Sequence, residues 1–514
     1  MKNIVGFLKK CDYRYWIVVI LIALFVTIKV NHYPYRHTAD AWEHTAALQE
    51  LSANLTSPKN PNVLSDASTP RYMPYLVALA VAKKLTGLDV FAVMRAAAVI
   101  NLLVLSLAVF LFSREYFRDT RQPIYTLIVM LFFWGLGYAW SGAYQFSVLP
   151  AVLPYPSTLT FALSLLGLFF VLRAIDSGKL VYHLAITISG WFILLTHPLT
   201  GGFFFVSSFL LILFADSGGT RVKLKALIAL SVAIPLVFVW PYFSIQKLFI
   251  GSVSSYEGYT DRSHFYSARK VVTALGPALL GVVFIVHYLA LKKYRFVTFG
   301  FLFFAFVYLL SFKWSIPLGW RFIFLFLFYL HLATARKLRE LDMFSLESIR
   351  EAFLCTDNVR LFKAFLLLII VISVAINVKI ARPTSVVSRG APVGGPLPAR
   401  YAFLKDIVEP YDVVLADDQT SWVIPSFSGK VVAFLRSNPL LPDIDERRRD
   451  HETFFSPESN LETREFIIRK YGVDFILLNL QFLDPSWVPE MEKLGVRVYE
   501  TDQLILYKTN RRNE

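Results

Sequence analysis

The chain has 514 residues, of which 56% are hydrophobic and 16% aromatic, and its formal net charge is +15. Soluble domains seldom reach such hydrophobicity, and apolar runs long enough to cross about 30 Å of hydrocarbon recur along most of the sequence. The positive charge does not indicate a nucleic-acid binder, because Lys and Arg cluster in short segments between the apolar runs, as in membrane proteins.

We predict eleven membrane spans. The first is interpreted as an uncleaved helix, because it follows a basic N-terminus and lacks both the shorter apolar core and the small-residue cleavage site of a signal peptide. The expected spans are 13–30, 91–113, 124–140, 155–172, 180–196, 201–215, 224–240, 271–291, 296–311, 321–335 and 361–379.

The distribution of basic residues predicts the orientation. With the N-terminus in the cytoplasm, the inner segments carry 21 Lys and Arg over 72 residues, and the outer segments carry 11 over 126. This asymmetry follows the positive-inside rule. Residues 74–82 are also apolar, but this run of about nine residues is too short to span, so we predict an interfacial or re-entrant helix there.

The odd number of spans places everything after residue 380 outside the plasma membrane. A Pro/Gly-rich linker is expected over 381–398, and a small α/β or α+β domain over 399–514. Its predicted strands are Asp412–Ala416, Lys430–Phe434, Val473–Leu478 and Val496–Tyr507, with a helix over Asn460–Tyr471. The predicted fold is thus an α-helical polytopic membrane domain, residues 1–380, followed by an extracytoplasmic domain.

The first outer loop, residues 31–90, contains the strongest candidate site. Asp40, Glu43 and His44 share one face if 40–54 is helical, because positions i, i+3 and i+4 are neighbours on a helix. The alternative is an amphipathic surface helix whose charges are simply solvated. An acid at the outer rim of a membrane protein, flanked by His and Trp, suggests chemistry on a lipid-borne substrate.

The layout around Asp40 resembles a known family. A first helix that runs from inside to outside is followed by a long loop with an Asp near its start. Then come Asn60-Pro61, the run Pro70-Arg71-Tyr72-Met73-Pro74-Tyr75, an apolar stretch that ends Leu85-Thr86-Gly87, and a second helix near Arg95. This arrangement resembles the GT-C superfamily of polytopic glycosyltransferases, which includes protein O-mannosyltransferases and aminoarabinose transferases.

The resemblance implies a function for this loop. In that family the acid of the first outer loop is the catalytic base, the donor sugar is carried on a polyprenyl phosphate, and the apolar stretch is a juxtamembrane helix. Many members have two adjacent acids, whereas here Asp40 is followed by Ala41 and the next acid is Glu43. A carboxylate is also chemically suited to take the proton of an attacking hydroxyl.

A lipid-phosphate leaving group requires cations at the outer interface. Arg71 is one candidate, and Lys313 and Arg321, in a short segment with two Trp and a Pro, are two more. Charges next to hydrocarbon are usually functional. The alternative for this segment is an aromatic belt with snorkelling anchors.

Three further outer residues are candidates for binding substrate. His197 lies between spans five and six, where it serves either as a donor or as part of a tight turn. Tyr155 lies in a similar turn that faces the same side. Glu257 lies in the Ser- and Tyr-rich loop 241–270, which is either a lid or a flexible connector.

The sequence does not predict a particular metal or other cofactor. Glu257, Asp261 and Asp40 together leave a divalent cation possible, but their spacing does not require one. In the C-terminal domain, Asp417-Asp418 follows a predicted strand and is interpreted as the start of a turn.

The sequence therefore predicts an inverting membrane glycosyltransferase. It would move a sugar from a polyprenyl-phosphate donor to a lipid, glycan or protein acceptor at the outer face. One alternative is a polymerase or ligase of lipid-linked oligosaccharides. Another is a non-catalytic transporter or flippase, which the scarcity of charges in the middle of the spans disfavours.

Overall fold

The computed structural model describes residues 12–32, 39–135, 144–248, 268–314, 316, 319–345, 347–348, 350, 358–381, 400–434 and 440–510. The chain forms two compact units. The first comprises Met1–Asn31, Ala96–Val239 and Tyr256–Val386, and the second comprises His32–Arg95, Trp240–Ser255 and Val387–Glu514. The second unit thus joins residues of the first outer loop to those of the C-terminal segment.

The α-helices that precede the C-terminal segment, and whose bounds the structure describes, are named here in chain order. They are α1 (Tyr13–His32), α2 (Ala39–Ala53), α3 (Pro74–Thr86), α4 (Val90–Phe117), α5 (Gln122–Phe132), α6 (Leu149–Val152), α7 (Pro156–Ser177), α8 (Leu180–Thr196), α9 (Pro198–Phe214), α10 (Thr220–Leu236), α11 (Ala268–Leu275), α12 (Leu280–Ala290), α13 (Arg295–Trp314), α14 (Ile323–Glu340) and α15 (Asn358–Ala381).

Several of these helices are long and apolar enough to cross a membrane. Among the described residues there are six such helices: α4, α7, α13, and the ranges Thr220–Val239, Arg269–Ala290 and Asn358–Ile380. The helices α5, α8 and α9 are apolar but shorter. A polytopic helical membrane fold is confirmed, whereas the count of eleven spans stays a prediction. Helix α3 has 13 residues, or about 20 Å, and is too short to span.

The ends of these helices follow from local sequence. Proline occupies the first turn of α3, α5, α7 and α9, where its missing N–H costs nothing and its fixed φ suits a helix. Gly87 and Gly178 end α3 and α7 with φ of 70° and 64°, the left-handed conformation that terminates many helices.

The core of the first unit is built from aromatic and aliphatic side chains in close contact. At Gly300 an added Cβ would lie only 2.1 Å from the ring of Tyr329. The missing side chain therefore lets α13 and α14 approach closely. The Tyr329 hydroxyl, which is fully buried, lies 2.7 Å from Ser207 Oγ on α9, so this polar group has a partner inside the apolar core.

One predicted span is interrupted. We expected a helix to Trp140, but α5 ends at Phe132 and residues 133–135 are not helical. The carbonyl groups that this break releases are bonded by side chains. Asn377 Nδ2 donates to Phe132 O at 3.0 Å, and His331 Nε2 lies 2.9 Å from Phe133 O. Non-helical backbone is tolerated in an apolar region only when its polar groups are satisfied in this way.

The C-terminal segment folds around one sheet. Its elements are α16 (Leu404–Ile407), β1 (Val413–Ala416), α17 (Asp418–Ser421), β2 (Lys430–Val431), α18 (Ile444–Phe454), α19 (Leu461–Tyr471), β3 (Val473–Asn479), α20 (Trp487–Glu492), β4 (Gly495–Glu500) and β5 (Leu504–Thr509). The strand order is β2-β1-β3-β5-β4. Strand β1 is parallel to β2 and β3, whereas β5 is antiparallel to β3 and β4.

The predicted helix and strands of this segment are observed, except that the strand predicted over Lys430–Phe434 ends at Val431. Helix α19 starts at Leu461 because the Asn460 side chain caps it by accepting from Thr463 N at 2.9 Å. The predicted run Val496–Tyr507 is in fact two strands. A turn in which Thr501 N donates to Leu504 O at 2.8 Å separates them, and its residues 501–503 are all polar.

Residues between α2 and α3 add to this sheet. Val431 N donates to Asn62 O at 2.7 Å, and Val63 pairs with Val431 in parallel. Loop and C-terminal segment therefore belong to one folded unit.

Candidate active site

Asp40 lies in the first turn of α2, near the positive end of the helix dipole. The helix is rich in alanine and leucine and buries Ala46, Ala47 and Leu48 completely or almost so. Asp40 and Glu43 share a face, as their i, i+3 spacing predicts. The Asp40 side chain is 29% exposed and the Glu43 side chain only 6%, so the two acids differ in their access to a substrate.

Arg71 links the two acids. Its Nη2 lies 3.3 Å from Asp40 Oδ1, and its Nε donates to Glu43 Oε2 at 2.6 Å, with Nη2 also contacting Glu43. The residue sits in a tight turn just before α3, in which Tyr72 N donates to Thr69 O at 3.2 Å. Arginine is charged at every physiological pH, so the two carboxylates face a permanent cation.

The shorter contact of Arg71 is with Glu43, not with Asp40. Glu43 and His44, like Arg71, are candidates for binding substrate, and these roles stay predictions. In the structure Glu43 and Arg71 form an ion pair, with Asp40 at the edge of the pair. His44 is buried, with 3% exposure, on the next turn of the same helix.

The remaining described candidates belong to the first unit. Tyr155 is buried, and its carbonyl oxygen accepts from Thr158 N at 3.1 Å at the start of α7. His197 Nδ1 accepts from Thr200 N at 3.3 Å and lies 2.6 Å from Thr200 Oγ1. It caps α9, and this geometry agrees with the tight-turn alternative. Glu257 lies outside the described residues.

Lys313 and Arg321 each lie against an aromatic ring. Lys313 Nζ is 5.9 Å from the centroid of Trp314, and Arg321 Cζ is 5.0 Å from that of Trp320. Both distances suit cation–π contacts. Trp314 is 61% exposed and Trp320 is 1% exposed, so the first pair matches an interfacial anchor, whereas the second is packed inside the unit.

Among the residues that the structure describes, no three His, Cys, Asp or Glu side chains come together as a metal site would require. Asp40 and Glu43 are both in contact with Arg71. Asp261 and Glu257 lie outside the described residues.

One pair of residues in this unit could not be predicted from the sequence. Lys430 Nζ donates to Glu50 Oε2 at 2.7 Å, and their side chains are 3% and 5% exposed. Burial lowers the pKa of Lys430, and Glu50 opposes that shift. The sequence predicts Lys430 in a strand and Glu50 on a helix. Because 380 positions separate them, no spacing rule joins them.

Comparison with known proteins relates this geometry to solved structures. No protein-family model and no curated protein sequence matches the chain. Solved structures do match over almost its full length. The apo oligosaccharyltransferase of Archaeoglobus fulgidus has a TM-score of 0.55 at 14% identity and covers 98% of this chain and 75% of that one.

Two other structures are similar. ArnT from Cupriavidus metallidurans, bound to undecaprenyl phosphate, has a TM-score of 0.60 at 13% identity, covering 97% of this chain and 98% of that one. The arabinofuranosyltransferase AftD from Mycobacteria has a TM-score of 0.56 at 12% identity, covering 97% of this chain and 42% of that one. All three are GT-C enzymes, so the resemblance seen in the sequence is confirmed at the level of the fold.

Proposed function

We propose that this chain is an integral membrane glycosyltransferase that uses a sugar linked to a polyprenyl phosphate. The three GT-C neighbours support this proposal, and one of them was solved with undecaprenyl phosphate bound. In this proposal the acceptor is a lipid, a glycan or a protein, and the reaction takes place at the outer face of the plasma membrane.

We assign the role of base to Asp40 because the two acids pair unequally with Arg71. Glu43 is buried and makes the closer contact with Arg71, whereas Asp40 is more exposed and its contact with Arg71 is longer. A general base must reach the proton that it removes. Asp40 meets this requirement better, and Glu43 holds the arginine.

The reaction follows from these roles. Asp40 takes the proton from an acceptor hydroxyl as its oxygen attacks the anomeric carbon from the face opposite the phosphate. The bond from that carbon to the phosphate oxygen breaks, and the lipid phosphate leaves with the bonding electrons. One displacement inverts the configuration. Lys313 and Arg321 are the proposed partners of the developing phosphate charge. His44, Tyr155, His197 and Glu257 are proposed to line the substrate site.

The test is sugar transfer in membranes with a labelled polyprenyl-phosphate sugar. Asp40→Asn should reduce turnover by about 10²–10⁴-fold, the usual contribution of a general base. Asp66→Asn is the matched control, since Asp66 is an exposed acid of the same loop and its variant should retain activity. Unchanged transfer by Asp40→Asn would remove Asp40 from the role of base.

The same preparation tests the alternatives. A flippase would move labelled lipid across the bilayer without forming a new glycosidic bond, and Asp40→Asn would not be expected to abolish that movement. A polymerase or ligase would transfer an oligosaccharide rather than a single sugar, which the mass of the product reveals.

A further inference from the structure

The helix that carries Asp40 and Glu43 is fixed near its C-terminal end by a buried ion pair. Lys430 Nζ donates to Glu50 Oε2 at 2.7 Å, to Asn60 O at 2.9 Å and to Pro61 O at 3.3 Å. An ammonium group has three protons, so all of them have an acceptor. The second Glu50 oxygen accepts from Lys59 N at 3.0 Å. A buried pair is retained only when its remaining polar atoms are satisfied.

A second contact fixes the same helix close to Asp40. Ser426 Oγ donates to Trp42 O at 3.1 Å and lies 2.6 Å from Thr45 Oγ1. Ser426 and Thr45 are buried, with 0% and 2% exposure. Trp42 lies between Asp40 and Glu43 in the sequence, so Ser426 fixes the turn that presents both acids.

The loop that leads to Arg71 is fixed by the same part of the chain. Strand β2 receives Asn62 and Val63 as an added pairing segment, with Val431 N donating to Asn62 O. Asn60 Oδ1 accepts from Val63 N at 3.2 Å and holds this segment in shape. The helix with the acids and the loop with the arginine are therefore both bonded to residues in β2 or shortly before it.

We propose that Lys430, together with Ser426, is a positioning residue for Asp40. We call Lys430 and Ser426 the α2 clamp. The C-terminal domain then acts as the frame that sets the distance between Asp40 and the Glu43–Arg71 pair. This inference rests on the proposed function, in which Asp40 is the base. It assigns the domain a role in turnover, not merely a role in stability.

Lys430→Met in the full-length protein tests the proposal, because methionine has a similar length but no charge. Arg464→Met is the matched control. Arg464 is a buried cation of the same domain, 3% exposed, and it is paired with Glu490 at 3.1 Å and donates to Phe454 O and Ser456 O. These contacts lie within the C-terminal domain and do not include α2.

The readouts are kcat and donor KM per folded molecule, the melting temperature, and hydrogen exchange of residues 39–53. Both variants should lower the melting temperature. We expect Lys430→Met alone to lower kcat at least tenfold, to change the donor KM less than twofold, and to speed exchange in 39–53. The double variant Glu50→Met with Lys430→Met, which leaves no unpaired charge, should recover part of kcat.

Either of two results would overturn the proposal: an unchanged kcat for folded Lys430→Met, or an equal loss of kcat in Arg464→Met. If Lys430→Met does not fold, Ser426→Ala removes only one hydroxyl from the clamp and should still lower kcat several-fold. Asp40→Asn is measured in parallel. An active Asp40→Asn variant refutes the proposed base, whereas an inactive Asp40→Asn beside a fully active Lys430→Met refutes only the positioning role.

Discussion

Arg71 lies 3.3 Å from Asp40 Oδ1 and 2.6 Å, through Nε, from Glu43 Oε2. Two different nitrogens serve two different carboxylates, which is possible because the guanidinium is planar and has five donors in fixed directions. A lysine has a single nitrogen and cannot span the pair in this way. The identity of the cation, and not only its charge, therefore determines where Asp40 points.

Arg71→Lys should consequently lower kcat by about 10–100-fold, since small errors in the position of a base are costly. The donor KM should change less. The measurement is steady-state transfer in membranes. Arg497→Lys is the matched control, because Arg497 also joins two acids, Glu492 at 2.5 Å and Glu500 at 2.7 Å, but on the exposed strand β4. Equal activity of Arg71→Lys and wild type would contradict this account.

Part of the candidate site could be predicted from the sequence. The helical period correctly put Asp40 and Glu43 on one face of α2. Arg71 was selected as a cation of the outer loop, but its pairing with the two acids could not be deduced, because a turn of unknown geometry lies between them. The roles of Tyr155, His197, Glu257, Lys313 and Arg321 stay predictions.

The break after α5 is the main feature at the scale of elements. Asn377 on α15 bonds to residues before and after the break. Its Nδ2 donates to Phe132 O at 3.0 Å, and its Oδ1 accepts from Gln145 Nε2 at 2.9 Å. Both groups are buried in an apolar unit, so the loss of their partner has no compensation from water.

Asn377→Leu should therefore destabilise the protein by about 1–3 kcal/mol, the usual cost of leaving buried polar groups unpaired. Thermal unfolding in detergent measures this loss. Ile376→Leu, at a neighbouring position with 37% exposure, is the control and should leave the melting temperature unchanged. A melting temperature of Asn377→Leu equal to that of wild type would show that the break does not depend on this side chain.

A second element-scale feature is the cap of α17. Asp417 Oδ1 accepts from Gln419 N at 2.9 Å and from Thr420 N at 3.0 Å, which agrees with our interpretation of Asp417-Asp418 as the start of a turn. Burial raises the pKa of Asp417, and its hydrogen bonds oppose that shift only in part.

The raised pKa predicts a pH dependence of stability. The folded protein binds a proton at Asp417 more readily than the unfolded chain does, so protonation favours the folded state. The melting temperature of wild type, relative to Asp417→Asn, should rise as the pH falls from about 7.5 to about 5. Asparagine also caps helices, which makes it the appropriate reference. A difference that does not change with pH, or that falls in acid, would contradict this prediction.

At the scale of the whole molecule, the orientation in the membrane is testable with the two native cysteines. Cys11 and Cys355 are the only cysteines, and the charge distribution predicts both on the cytoplasmic side. A membrane-impermeant maleimide should leave wild type unlabelled in intact cells. It should label Asp66→Cys and Glu458→Cys, at exposed positions of the outer loop and the C-terminal domain. Labelling of wild type before permeabilisation would reverse the topology.

The whole-molecule organisation was only partly accessible from sequence. Hydropathy indicated the apolar helices, and strand patterns indicated the C-terminal sheet, because both depend on local periodicity. The association of loop and sheet depends on contacts such as Glu50–Lys430 and Asn62–Val431. Such contacts between distant segments leave no periodic signal, so they became visible only in the structure.

The separation of Glu50 and Lys430 also bears on how the protein is made. Ribosomes add about 5–20 residues per second, so roughly 20–75 s pass between the synthesis of Glu50 and that of Lys430. During this interval the residues of α2 have been synthesised, but the lysine that bonds to Glu50 has not. A nascent chain that stops before Lys430 would contain Asp40, Glu43 and Arg71 and nearly every apolar helix. Because we propose that Lys430 positions Asp40, we expect such a chain to be inactive: the proposed base is synthesised early and its positioning residue late.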